Sequence, residues 1–489
     1  MSAKAIEGLT PAVLWNRFYE ISQIPRPSKH EERVRLYLRN FAGKHNRLFK
    51  EDEAGNIVIY VPPKPGFEEV PTVVLQSHVD MVCEKNKDTA HDFSKDPIKL
   101  VREGDWIKAE GTTLGADNGI GAAAAIALVT DDLYDHGPIE LLFTVDEETG
   151  LTGAKSLQPG FIEGKFLINL DTEEDGAFYI GCAGGMDTAG IFQIEYEEIK
   201  GGYAPYSISV SGLKGGHSGI NISDKRANAI KLLGYLLKSL NIVDYQLGSV
   251  TGGSKRNAIA REAEALIFIK YSDEAKVREA INAFSIESVL EFKKTDKEIK
   301  ITFEKNTASI PAKVFNKKFV ENLLKVIIAL PHGVISMSSD MAELVETSTN
   351  LATITIDNDK LNIGTSQRSS IESAKKNIAL MIKSVFELAG AEITTNDGYP
   401  GWQPNLESEL LRISRRVYKN IFGHAPLLKA VHAGLECGIL GDKYPGLDMI
   451  SIGPTIEGAH SPDEKVRIHD VEKFYRLLKA ILEEIAIIK

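Results

Sequence analysis

Apolar residues recur at helical spacing across 11–41, first as Leu14, Phe18 and Ile21 and then as Val34, Leu36, Leu38 and Phe41, with Pro25-Arg26-Pro27 between them. The pattern predicts two helices separated by a turn. The runs 56–61, 72–75, 139–145 and 166–170 are short, apolar and rich in Val, Ile and Leu, which predicts buried strands. Three of them stop at residues that bind metals: His78-Val79-Asp80, Asp146-Glu147-Glu148 and Asp171. In open α/β sheets ligands collect beyond the carboxyl ends of parallel strands, so these ends are where a site is expected.

The stretch 111–129, GTTLGADNGIGAAAAIALV, opens as a polar, glycine-rich loop and runs into small, helix-favouring residues. Asp117 and Asn118 stand where an N-cap is expected. The alanines at 122–125 carry almost no bulk, so this helix can lie against a sheet and bring Asp117 towards neighbouring strand ends.

From about residue 187 the pattern changes. Strands at 206–210 and 263–271 with helices at 227–240 and 274–283 make one round. A second follows with strands at 300–304, 350–357, 361–366 and 391–395 and helices at 317–330 and 373–388. Both fit a β-α-β-β-α-β plan. A turn through Gly398, Pro400 and Gly401 then returns the chain to its first style, with a helix at 406–421, a strand at 448–452 and a closing helix given Asp470 as N-cap. The expected fold is therefore α/β. A largely parallel, mixed sheet between helices is built from the discontinuous segments 1–186 and 397–489, with an α+β domain inserted at 187–396.

Charge and cysteine usage narrow the function classes. The chain of 489 residues has 57 Lys plus Arg against 68 Asp plus Glu, a formal net charge of −11. That surface is poor for nucleic acid or an anionic membrane. Cys83, Cys182 and Cys437 lack C-x-x-C spacing and point to a reducing, cytoplasmic compartment. The N-terminus carries Lys4 and Glu7 without an apolar core, and the run 119–129 is too short to span a bilayer.

Six motifs then stand in order: SHVDMV at 77–82, GTTLGADNGIG at 111–121, DEETGLTGA at 146–154, NLDTEEDG at 169–176, GGHSG at 215–219 and GAHSPDE at 458–464. Together they resemble the dinuclear zinc aminopeptidase and carboxypeptidase clan, most closely its aminoacyl-histidine dipeptidase group. The resemblance implies two Zn2+ per chain, with Mn2+ or Co2+ accepted by the same donors. His78 and Asp171 would hold one ion, Glu148 and His460 the other, and Asp117 would bridge them. It further implies Glu147 as general base, Asp80 as the orienter of His78, and His217 as a polariser of the substrate carbonyl. Asn257 and Arg368 would clamp the substrate carboxylate, for which a guanidinium fork is suited. Glu436 is a candidate for the substrate's free amine. The implied reaction is hydrolysis of unblocked dipeptides, Xaa-His included, by a water activated between the metals. The inserted domain would serve as a lid and as a homodimer surface.

A carboxypeptidase or an N-acyl-amino-acid hydrolase would use the same metals. From another class, Gly119-Ile-Gly121-Ala-Ala-Ala124 fits the G-x-G-x-x-A turn of an NAD-binding dehydrogenase, but a polar loop precedes it instead of the required strand. A catalytically silent peptide-binding relative would be expected to have lost some of the ligands or the base, and all are present.

Overall fold

Four of the buried strands pair in parallel: Ile139–Thr144 with Val73–His78, Val73–His78 with Phe166–Asn169, and Phe166–Asn169 with Asp448–Ser451. They occupy the middle of an eight-stranded sheet, flanked by Phe49–Glu51 and Ile57–Val61 on one side and by Ala177–Cys182 and Leu427–Val431 on the other. This is a computed structural model describing residues 2–131, 134–307 and 310–487. It divides into two units, the first made of Met1–Gly181, Trp402–Ala430 and Leu435–Lys489, the second of Cys182–Gly401 and Val431–Gly434.

In the first unit every residue of Val73–His78 and Ile139–Thr144 is buried, as expected for parallel strands covered on both faces. Helix Ala116–Leu128 packs on Val73–His78 and on helix Ala12–Ser22. Its alanines Ala123, Ala124 and Ala125 are wholly buried, so the small side chains give the close approach that the sequence predicts. Helix Glu409–Phe422 packs on Asp448–Ser451 and on the closing helix Ile468–Ala486. The four parallel strands thus present their carboxyl ends on one edge of the sheet.

Two helix starts differ from expectation. The N-cap of Ala116–Leu128 is Gly115, in the left-handed region at φ 67°, while Asp117 and Asn118 lie inside the first turn with non-helical dihedrals. Neither side chain caps the helix, because both are turned to other partners. The closing helix has Arg467 as N-cap, and Asp470 lies in its first turn, where its carboxylate accepts from Thr455 Oγ1 at 2.5 Å. Pairing of Lys465–Arg467 with Trp106–Ala109 carries the chain straight into this helix and moves its start forward.

The second unit is one large sheet built from two halves of the same plan. One half is ordered Lys300–Lys305, Tyr203–Ser211, Ala263–Lys270, Tyr245–Gly252, and the other Val345–Asp357, Lys360–Ser369, Gly184–Gln193, Glu392–Thr395. Each reads β-α-β-β-α-β along the chain, with helices Ala229–Ser239 and Glu274–Glu291 in one and Lys317–Ala329 and Glu372–Leu388 in the other. The allocation of strands departs from the sequence reading. Residues 300–305 close the first half, and the second half is opened by Gly184–Gln193, so the first half is nested inside it. Glycines mask this strand in the sequence, yet a Cβ on Gly190 would lie 2.3 Å from the Phe386 ring. Glycine there lets helix Glu372–Leu388 seat on the sheet.

Two predictions follow from packing. Ala124→Leu places extra volume in a filled helix–sheet contact and should lower stability by about 1–3 kcal/mol, read as a reduced urea midpoint. In the second unit, burial and the nearby Lys231 lower His332 to about 4, and burial with Arg368 and His217 lowers His432 to about 3. Both values lie below the roughly 6.5 of an unfolded histidine. The folded state therefore binds fewer protons, and stability present above pH ~6.5 falls as the pH drops towards 4. Replacing His332 by Asn should flatten that fall in a pH series of urea midpoints; an unchanged slope would contradict it.

Candidate metal centre

His78 ends strand Val73–His78, and its side chain is 1% exposed. Its Nε2 lies 3.0 Å from Asp117 Oδ1 and 3.4 Å from Asp171 Oδ1. Asp171 follows strand Phe166–Asn169, and Asp117 stands at the start of helix Ala116–Leu128. On the other side of Asp117, His460 Nε2 lies 3.0 Å from Asp117 Oδ2 and 3.0 Å from Glu148 Oε2. Glu148 comes from the turn after Ile139–Thr144, and His460 from the loop after Asp448–Ser451. One carboxylate thus faces two imidazoles, with a further carboxylate behind each. Four of these residues are delivered by the ends of the four parallel strands, and the fifth by the adjoining helix.

The donors fit a pair of cations. An imidazole nitrogen carries at most one proton, so each Nε2 has a single N–H at most to offer the two carboxylate oxygens facing it. Three overlapping groups, His78–Asp117–Asp171, Asp117–Glu148–His460 and His78–Glu147–Glu148, each bring ligand atoms within 4.8 Å of one another. Glu148 Oε1 is buried and has no hydrogen-bond partner. Burial first, then repulsion from Asp117 and Glu148, pushes Asp171 up to about 7, and burial with Asp171, Glu436 and Glu148 pushes Glu147 well above the carboxylate range. Burial opposes a charge on His78, but Asp171, Asp117 and Asp80 outweigh it and hold its pKa well above normal. This is a buried excess of negative charge, which positive ions relieve. Mixed imidazole and carboxylate donors suit zinc and its first-row neighbours.

The Asp80 carboxylate places Oδ1 3.3 Å from His78 Nδ1. It also accepts from Ser28 Oγ at 2.8 Å and from the amides of Glu147 and Glu148 at 3.1 and 3.2 Å. Burial would raise its carboxyl, but the hydrogen bonds from His78, Ser28 and Glu147 hold it at about 2. One side chain therefore holds the turn that carries Glu147 and Glu148 and stands beside the imidazole.

Glu436 opens helix Glu436–Lys443 and is 1% exposed. Its Oε2 accepts from Gln76 Nε2 at 2.6 Å and Thr144 Oγ1 at 2.8 Å, while Oε1 has no partner. Gln76 Oε1 accepts from Asn169 Nδ2 at 2.5 Å, and Asn169 Oδ1 accepts from Ser451 Oγ. A polar ladder, one side chain per strand, thus crosses the four parallel strands beneath the metal ligands. Sequence reading missed it because Thr144, Asn169 and Ser451 sit singly within apolar runs and Gln76 stands beside the more conspicuous Ser77-His78. Arg26 and Glu464 were missed as well, and Asn118, expected as an N-cap, instead holds Asp171. Asn118 Nδ2 donates to Leu170 O at 2.8 Å and to Asp171 Oδ1, and Glu464, within the GAHSPDE motif, is buried.

His217, Asn257 and Arg368 belong to the second unit. His217 Nδ1 accepts from the amides of Gly219 and Ile220 at 3.2 Å, so its ring proton resides on Nε2. Burial and Arg368 lower its pKa to about 4. His217 and Asn257 line one cavity of about 790 Å³ with Lys214, Lys255 and Arg261. Arg368 is not in that lining; it donates from Nη1 to Tyr399 Oη at 2.8 Å, and its buried Nε has no partner.

The glycines of the G-x-G-x-x-A pattern lie inside helix Ala116–Leu128. A Cβ at Gly119 would lie 2.6 Å from Arg26 Nη2, and one at Gly121 2.5 Å from Leu170 O. They are packing positions and form no dinucleotide-binding turn. No helix among the described residues is long and apolar enough to cross a membrane.

This arrangement has close counterparts. The cytosol non-specific dipeptidase of Escherichia coli is 40% identical over 484 residues, 98% of each chain. The crystal structure of aminoacylhistidine dipeptidase from Vibrio alginolyticus superposes with a TM-score of 0.90 at 42% identity, covering 98% of this chain and 97% of that one. A tripeptidase from Staphylococcus aureus, 18% identical over 98% of this chain and 99% of its own with a TM-score of 0.57, shares the fold. Residues 74–484 match Peptidase family M20/M25/M40, and with a 40% identical relative along nearly its whole length this chain, a metallopeptidase of mixed α/β fold, belongs to that family.

Proposed function

We propose that this chain is a cytosolic, metal-dependent dipeptidase that hydrolyses unblocked dipeptides of broad specificity, Xaa-His included. The observation that carries the reading is the Asp117 carboxylate set 3.0 Å from both His78 and His460, with Asp171 and Glu148 behind them. The activities named for the Escherichia coli and Vibrio alginolyticus relatives support the same substrate class.

His78, Asp171 and Asp117 would hold one ion, and Asp117, Glu148 and His460 the other, with zinc the expected metal and manganese or cobalt admitted by the donors. Such a pair acidifies an attacking water and polarises the scissile carbonyl. Glu147, next to the ligand Glu148 and anchored through its amide to Asp80, takes the proton from the attacking water and returns it to the departing amine. Asp80 keeps His78 Nε2 turned towards Asp117 and Asp171. Glu436 Oε1, buried and unpartnered, is an acceptor for the ammonium of an unblocked substrate. A neutral His217 with its proton on Nε2 supplies a donor to the carbonyl oxygen, and Asn257 and Arg368 receive the terminal carboxylate. The second unit supplies the surface of a homodimer.

A panel of free and N-acetylated dipeptides, assayed before and after chelation with metal analysis, tests the reading. Free dipeptides should be cleaved, chelation should abolish cleavage, and zinc should restore it. Faster cleavage of the N-acetylated series would instead mark an acyl-amino-acid hydrolase. Glu147→Gln should keep two metals per chain while kcat falls about 10²–10⁴-fold, and near-normal turnover in that variant would remove Glu147 from the role of base.

A further inference from the structure

The turn that carries Asp117 is tied from two directions by side chains that touch neither metal position. Glu464 is 2% exposed, and its carboxylate accepts from four successive amides. Oε2 takes Leu114 N and Gly115 N at 2.8 and 3.0 Å, and Oε1 takes Ala116 N and Asp117 N at 2.7 and 3.3 Å. These are the donors that a helix start leaves without intrahelical partners. Gly115, the N-cap residue, offers no side chain, and the cap comes instead from the segment that bears His460. That segment is itself tight: Ser461 N donates to Gly458 O at 3.2 Å and Glu464 N to Ser461 O at 3.1 Å. Fixing Glu464 on the Asp117 turn therefore fixes His460 against Asp117.

Arg26 acts from the opposite direction. It is 2% exposed, and its terminal nitrogens are turned to backbone carbonyls. Its Nη1 donates to Val79 O at 3.1 Å and Asp80 O at 2.7 Å, and its Nη2 to Gly115 O at 2.5 Å. The guanidinium fork thus joins the strand end after His78 to the Asp117 turn. Room for it comes from Gly115 and Gly119, where a Cβ would lie 2.5 and 2.6 Å from Nη2. A buried cation that spends its donors on three carbonyls of two ligand-bearing segments is placed to set their spacing.

We infer that Glu464 and Arg26 are positioning residues for the two metal positions, each securing a different half of the site to the Asp117 turn. Glu464 sets the His460 and Glu148 half, and Arg26 sets the His78 and Asp171 half. The inference rests on the two-cation reading given above. Its signature is selectivity: each variant weakens one metal position and leaves the other.

Full-length protein stripped of metal is titrated with Co2+ against a competing chelator and followed by absorption, with His460→Ala and His78→Ala marking which binding step belongs to which half. Glu464→Gln should weaken the step lost in His460→Ala by about 10–100-fold, the usual cost of removing a partner of metal ligands, and leave the other step unchanged. Arg26→Lys should do the reverse. Circular dichroism and urea midpoints of the metal-free variants are read alongside. Equal weakening of both steps in proportion to lost stability would overturn the inference in favour of a general structural role, as would two parent-like steps in Glu464→Gln. If Arg26→Lys does not fold, Glu464→Gln decides alone. A parent protein that binds fewer than two Co2+ would instead overturn the two-cation reading, and the inference with it.

Discussion

Negative charge gathered in a buried place is the constraint on which the first unit depends. Asp117, Asp171, Glu147 and Glu148 converge with two imidazoles, and Glu436 adds a fifth carboxylate nearby. No arrangement of imidazole protons neutralises that set, which is why burial drives Asp171 and Glu436 up to about 7. A fold that served stability alone would not collect such groups at the end of its own sheet. The charge excess makes sense as half of a site whose other half is cationic.

Holding those groups apart from one another takes a rigid frame, and the parallel sheet supplies it. Each parallel strand delivers its functional residue at or just beyond its carboxyl end, so the strand spacing becomes the spacing of the site. The side chains just beneath are hydrogen-bonded in turn: Gln76 to Asn169 and Glu436, Asn169 to Ser451, Asp80 to the Glu147 and Glu148 amides. Polar groups placed singly within apolar strands are costly unless fully paired. Here Gln76, Thr144, Asn169 and Ser451 are all paired, while Glu436 Oε1 is left without a partner and is the atom proposed to meet the substrate's ammonium.

Much of this was legible from the chain. Apolar runs located the four parallel strands, and the residues just after three of them named His78, Glu147, Glu148 and Asp171, because a strand end has a fixed side and a fixed direction. Asp117 came from the glycine-rich loop before its helix, and His460 from the motif resemblance. What could not be read has a common physical cause. Arg26, Glu464 and the Gln76–Asn169 ladder act through contacts between segments far apart in sequence, with no periodicity to mark them. Assigning Asp117 and Asn118 as the N-cap failed for that reason, since the helix takes its cap from residue 464. The strand Gly184–Gln193 was hidden differently. Its glycines suppress strand propensity, and only pairing along both edges makes it a strand.

The nested plan of the second unit sets an order of events during synthesis. Strand Gly184–Gln193 leaves the ribosome first, yet both of its neighbours, Lys360–Ser369 and Glu392–Thr395, come last. The inner half, from Tyr203–Ser211 to Lys300–Lys305, emerges whole in the interval and has its strand partners within itself. Long-range pairing is slow because the intervening loop must be closed first. The outer half therefore waits on a finished neighbour, carrying Ile191 and Phe192 on a strand with two open edges until residues 360–395 arrive, and that interval is when the nascent protein is most exposed to mispairing.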